Sequence, residues 1–179
     1  MLNVKEVVKP AAILFAICVL VACTLAGTNA LTKDRIEAQQ EAKAEESRMI
    51  VLPAADSFVA ADGYYAGLKN DEAIGYVFET ESKGYGGTVR VMTGISADGS
   101  ITGVVILEHE ETPGLGANAE KEAFRDQFKQ NISPDGITVV RYQEPGEGEI
   151  EAMTGASITS RAVTDAVNQA IEQYLEVTA

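Results

Sequence analysis

Histidine and cysteine, the residues that most often carry metal and redox chemistry, are nearly missing from this chain. There is one histidine, His109, and both cysteines, Cys18 and Cys23, lie in an apolar stretch near the N-terminus. The rest of the chain therefore has neither a disulfide framework nor a cysteine cluster for a metal, and a histidine-based zinc site has no support. Positive charge is the next shortage: 14 Lys and Arg stand against 27 Asp and Glu, a net charge of -13 in 179 residues. A field of that sign repels phosphate backbones, which argues against nucleic-acid binding and suits a solvated extracytoplasmic or complex-associated domain. No second long apolar run follows the first, which leaves room for one soluble domain of roughly 120 to 130 residues around a single core.

Ala11–Ala30 reads AAILFAICVLVACTLAGTNA, twenty residues without a charge. As a helix, such a run spans the roughly 30 Å hydrocarbon core of a bilayer. We read a retained membrane anchor. The competing readings are a cleaved signal peptide, with Lys5 and Lys9 as its basic flank, and a lipoprotein signal, with Leu20-Val21-Ala22-Cys23 as a loose lipobox. The run is long for the apolar region of a signal peptide, typically about 7 to 15 residues. Lys5 and Lys9 on one side face Lys33, Arg35, Lys43 and Arg48 on the other, so charge alone leaves orientation open. Thr32–Met49 is rich in helix formers and polar nearly all round, the pattern of a solvated helical connector, and Pro53 ends it. The expected organisation is residues 1–31 for the N-terminus and anchor, 32–52 for the connector and 53–179 for the folded domain.

Strand signals then dominate: 64–68, 74–80, 88–95 and 101–107, with turns at Asn70-Asp71 and Asp98-Gly99. The Asp-Gly pair between two alternating apolar runs marks a hairpin, and an antiparallel meander is expected. A loop of unusual composition, EHEETPGLGAN, leads into a helix expected near Ala119–Lys129, with Ala123, Phe124 and Phe128 on its apolar side and Asn118 as a cap. Ile137–Tyr142 reads as a further strand. After the acidic EPGEGE segment, apolar residues from Val163 to Leu175 fall on one helical face. Thr159 or Ser160 is the natural N-cap, which places Thr154, Ser157 and Thr159 beside unpaired backbone amides and the positive helix end. A phosphate suits such a seat, although a serine-rich cap has the same local pattern. The layout is an α+β domain.

Hydrolase chemistry on Ser157 with His109 as base lacks the Gly-x-Ser-x-Gly elbow. His109-Glu110-Glu111 is a poor metal ligand set, because adjacent side chains in one loop point apart, and it reads as a solvated acidic turn. The glycines of KGYGG (83–87) and ETPGLG (111–116) allow either tight turns or close backbone approach to a flat ligand.

Taken together, KGYGG, HEETPGLG (109–116) and TGAS (154–157) resemble the FMN-binding domain of the G subunit of Rnf electron-transport complexes and of the related C subunit of the sodium-pumping NADH:quinone oxidoreductase. The resemblance covers the whole layout. It implies a single N-terminal transmembrane helix followed by an antiparallel-sheet FMN-binding domain with packed helices. In that family a motif Asp-x-x-Ser/Thr-Gly-Ala-Thr carries FMN on its last threonine through a phosphoester, installed by a separate flavin transferase. Thr154, Gly155 and Ala156 match, whereas Glu151 replaces the Asp and Ser157 the Thr. Ser157 is the expected attachment residue, and Thr159 is the alternative. Leu115, flanked by Gly114 and Gly116, is expected to cover the flavin ring, with Thr112 and nearby amides at its polar edge. The resemblance further implies a membrane electron-transfer subunit, not catalytic alone, with its N-terminus in the cytoplasm and its FMN domain on the extracytoplasmic side. It would act with other membrane and redox subunits in ferredoxin:NAD oxidoreduction coupled to Na+ or H+ translocation. The other reading is a membrane-tethered sensor or scaffold that holds FMN noncovalently or not at all.

The uncharged run generates a first prediction: protein purified from membranes keeps its N-terminus uncleaved. Terminal sequencing that finds a start within residues 24–31, or a lipid on Cys23, rejects the retained anchor.

Overall fold

A computed structural model describes residues 4–179; residues 1–3, the beginning of the expected cytoplasmic N-terminus, lie outside the described residues. The chain divides into two compact units at Ala42/Lys43. The first unit belongs to helix α1, Val4–Val51, which takes in both the apolar run and the polar connector. From Val8 it is long and apolar enough to cross a membrane. Its side chains Ile13, Leu14, Phe15, Leu20 and Leu25 are exposed, as a lipid-facing helix requires. The hydroxyls of Thr24, Thr28 and Thr32 each donate to the carbonyl four residues earlier, at 2.8, 2.9 and 3.0 Å, so these polar groups are satisfied within the helix.

The second unit begins with the last turns of α1, where Ala44, Ser47, Arg48 and Val51 are buried. A five-stranded antiparallel sheet follows in simple meander order: β1 Ser57–Ala60, β2 Tyr64–Lys69, β3 Glu72–Lys83, β4 Thr88–Ser96 and β5 Ile101–Glu108. Both expected turns are present, with Asn70 and Asp71 at φ 51 and 65° and Gly99 at φ 82°. β1 was not apparent in the sequence, because its four residues are mostly exposed and show no apolar alternation.

Both faces of the sheet are covered. Phe78, Val91, Val104 and Ile106 pack under helix α3, Ser157–Thr178, through Val163, Val167 and Ile171. Their chain neighbours Val77, Met92 and Val105 point the other way and join Val51 and Leu52 from the end of α1. Period-two side chains on a sheet buried on both sides give continuous apolar runs such as Val104-Val105-Ile106. The helix end sits close against the strands. A Cβ at Gly94 would overlap the Val51 carbonyl, and one at its cross-strand partner Gly103 would lie 3.0 Å from Val51 Cα. Thr102 donates its hydroxyl to the same carbonyl. Beside it, the buried Arg48 guanidinium lies 3.9 Å from the centre of the Tyr65 ring and 4.0 Å from Glu79.

Three expectations need correction. The helix foreseen over Ala119–Lys129 is a broken series: a 3-10 turn at Gly116–Glu120, helix α2 at Glu122–Arg125 and a 3-10 turn at Asp126–Phe128. Phe124 and Phe128 anchor it edge-to-face at 5.5 Å, but Ala123 is exposed, and Asn118 donates to the Gly114 carbonyl at 2.8 Å instead of capping. The strand foreseen to Tyr142 is β6, Thr138–Val140, which pairs in parallel with β7, Glu149–Glu151; Tyr142 has left the strand with φ 57°. Helix α3 starts at Ser157 with Ala156 at its N-cap, so Thr159 and Ser160 lie inside the first turn.

The covered second face predicts that Leu52→Ala, at a side chain 1% exposed, destabilises the folded unit by about 2 to 5 kcal/mol in urea unfolding. A chain beginning at Pro53 should aggregate where one beginning at Lys33 stays monomeric by gel filtration. Equal behaviour of the two would show that the end of α1 is dispensable to the core.

Candidate functional site

The TGAS motif forms a turn into α3. The Ala156 amide donates to the Met153 carbonyl at 3.0 Å, and Gly155 takes φ 76°, a conformation that glycine adopts without strain. Four hydroxyls enter this segment, and they divide into two pairs. Ser160 Oγ donates to the Ala156 carbonyl at 3.0 Å and accepts the Met153 amide at 2.9 Å, which welds the turn to the helix. Thr159, 1% exposed, donates inward to Glu111 Oε2 at 2.5 Å. Thr154 is exposed and Ser157 half-buried. Among the described residues no side chain caps α3; its first intrahelical bond runs from Ser160 N to Ala156 O at 2.9 Å, which leaves the amides of Ser157, Ile158 and Thr159 at the open end.

Glu111 corrects the reading of a solvated acidic turn. It is 6% exposed, and its Oε1 accepts the amides of Tyr85 at 2.8 Å and Gly86 at 3.0 Å. One carboxylate thus joins the KGYGG loop, its own ETPGLG loop and the first turn of α3. The glycines serve this junction: a Cβ on Gly84 or Gly116 would run into the Glu111 carboxylate, and one on Gly86 into the Glu110 carbonyl. His109 is bound locally, its Nδ1 accepting the Glu111 amide at 3.1 Å and its Nε2 lying 3.4 Å from Glu120.

Leu115 is 46% exposed, with its Cδ2 beside Gly155, so the loop tip and the TGAS turn are neighbours. Gly114 has φ 78°, whereas Gly116 is buried under Glu111 and Thr159. Thr112 is exposed; its carbonyl accepts the amides of Leu115 and Ala117 at 3.1 and 3.2 Å, so those amides are engaged within the loop. An open groove of about 370 Å³ adjoins the turn, lined by Asn118, Lys121, Phe124, Gln127, Glu151, Met153 and Thr154. Gln127 holds one wall, accepting the Glu151 amide at 2.7 Å. Apart from Glu151 and Thr154, these residues carry no motif of their own in the sequence; the fold brings them together.

Burial pushes the Glu111 carboxyl up, but the Thr159 hydroxyl and the Gly86 and Tyr85 amides, helped by His109, outweigh it and hold the group below its ordinary value. A depressed carboxyl contributes stability that is complete above the unfolded value of about 4.3 and is lost as pH falls through the lower folded value. Urea unfolding between about pH 5 and about pH 2 should therefore show a shallower acid loss in Glu111→Gln than in the parent. Parallel curves would mean that the carboxylate charge is irrelevant to the junction.

Comparison with known proteins agrees with this geometry. The FMN-binding domain family matches residues 84–172, and the RnfG N-terminal region matches residues 1–47. The chain is 39% identical to the G subunit of the Na(+)-translocating ferredoxin:NAD(+) oxidoreductase complex of Acetobacterium woodii, over 95% of this chain and 92% of that one. It is 42% identical to the G subunit of the proton-translocating ferredoxin:NAD(+) oxidoreductase complex of Clostridium ljungdahlii, over 80% and 78%. Crystal structures share the fold. The C subunit of the Na(+)-translocating NADH-quinone reductase of Parabacteroides distasonis superposes with a TM-score of 0.54 at 22% identity, over 65% of this chain and 62% of that one. NqrC of Shewanella oneidensis gives 0.54 at 21%, over 73% of each chain. With its motifs, fold and near full-length similarity in accord, the chain belongs to the family of G subunits of ion-translocating ferredoxin:NAD(+) oxidoreductase complexes, and it carries that family's FMN-binding domain.

Proposed function

We propose that this chain is a membrane-anchored flavoprotein subunit that carries FMN as a phosphoester on Ser157 and relays electrons within an Rnf-type complex. The observation that supports the attachment site is the division among the motif hydroxyls. Thr159 and Ser160 are buried and bonded inward, while Ser157 is only half-buried, at the uncapped start of α3. The donor set suits the cofactor. Open first-turn amides with the hydroxyls of Thr154 and Ser157 favour a phosphate, and Leu115, Phe124 and Met153 offer apolar surface beside the polar groups of Asn118 and Gln127.

When bound, FMN supplies the redox chemistry, and the protein's part is to hold and place it. Attachment requires a flavin dinucleotide donor and a flavin transferase. The Ser157 Oγ–P bond forms as the donor's pyrophosphate P–O bond breaks, the hydroxyl proton passes to a base on the transferase, and a nucleoside monophosphate leaves. The ester phosphate keeps a negative charge, which the helix end stabilises.

The further partners are the membrane and redox subunits of the complex, with the FMN domain on the extracytoplasmic side of the cell membrane. A tethered flavin suits a relay there, where a lost cofactor could not be replaced by rebinding. The reaction served is ferredoxin:NAD oxidoreduction coupled to Na+ or H+ translocation. The two relatives above carry different ions in their names at similar identity, so the reading embraces both.

Co-expressed with a flavin transferase, the chain should carry one flavin that survives denaturing electrophoresis as a fluorescent band, and peptide mass spectrometry should map it to Ser157. Ser157→Ala should abolish the band and Ser157→Thr retain it. A modified Thr159 peptide would move the site, and a parent chain without any band, beside a transferase active on another substrate, would end the covalent reading.

A further inference from the structure

We infer that Glu111 is the positioning residue of the flavin acceptor site: its buried carboxylate locks the 83–87 and 111–116 loops to Thr159 and so fixes the orientation in which α3 presents the Ser157 hydroxyl and its open amides. The inference rests on the covalent-FMN reading above and assigns the site a control element.

The geometry is specific on both sides of the carboxylate. Oε1 takes the successive amides of Tyr85 and Gly86, and Oε2 takes the Thr159 hydroxyl. Thr159 lies two positions from Ser157 in the same helical turn, and at 3.6 residues per turn the two side chains point to nearly opposite sides. Thr159 is tied down and buried, whereas Ser157 is half-buried. Rotation of the first turn about the helix axis, which would swing Ser157 away from the Gly155 turn and Leu115, must break the Thr159 bond to Glu111.

The surroundings are shaped for the carboxylate. Both Gly84 and Gly116 would drive a Cβ into it, so each loop has been kept bare where it meets this group. Stability does not by itself require a carboxylate here. A buried ionised group carries a desolvation penalty of several kcal/mol, and well-packed apolar side chains commonly replace buried ionic groups without loss. A directional three-donor clamp instead fixes angles, which an apolar contact does not. Placement matters for group transfer, because a misplacement of about 1 Å can slow a reaction about 100-fold.

The test measures the rate of flavin incorporation into full-length protein by a flavin transferase with flavin dinucleotide. Backbone amide exchange over residues 84–87 and 157–160 is followed separately. Glu111→Ala should slow incorporation at least about tenfold. Thr159→Val, which keeps the side-chain shape and removes the hydroxyl, should do the same, and Thr159→Ser should restore the parental rate. Leu52→Ala, on the opposite face of the sheet, controls for lost stability. If it slows incorporation as much as Thr159→Val at a matched loss of Tm, the effect is general and the inference fails. Parental rates in Thr159→Val also overturn it, and that variant carries the test if Glu111→Ala does not fold. Amide exchange is independent of flavin: Thr159→Val should speed exchange in both segments, and unchanged protection in both rejects the clamp. Ser157→Ala run in parallel separates the two readings, since retained labelling there refutes the attachment site, whereas the exchange result bears on Glu111 alone.

Discussion

Burial of the sheet on both faces is the constraint from which the rest of the domain follows. Strands β3 to β5 carry large apolar side chains in both directions, Phe78 beside Val77 and Val104 beside Val105, and neither face can be left to water. One cover is the amphipathic α3. The other is the end of α1, which reaches the sheet only because Gly94 and Gly103 leave the backbone bare beneath Val51. Helix α1 therefore does not end as a solvated connector: its final turns are part of the domain's core.

Much of this architecture was legible. The period-two strands, the Asp98-Gly99 turn and the apolar face of α3 are local signals, and local signals survive in a single sequence. The errors have identifiable causes. Thr159 and Ser160 look like caps because hydroxyl residues favour that role, yet the Gly155 turn feeds directly into the helix and draws both hydroxyls inside. The segment after Gly116 breaks into short turns because two phenylalanines, Phe124 and Phe128, supply its main apolar anchors.

Glu111 shows where sequence reading stops. Within His109-Glu110-Glu111 nothing distinguishes it from its neighbour, because its donors stand 25, 26 and 48 positions away in the chain. The glycine-rich loops were visible as places of close approach, but what approaches Gly84 and Gly116 is this carboxylate and not a ligand. Glycine announces contact without naming the partner.

The packing of α3 on the sheet has a consequence for how the TGAS turn is recognised. The meander and the Val51 seat draw on residues 44–108, whereas the TGAS turn needs α3 as well. Ser157 opens α3, which is held over β3 and β4 by Val163, Val167 and Ile171. An enzyme that reads the folded turn therefore reads the closure of α3 over the sheet, and not the motif alone.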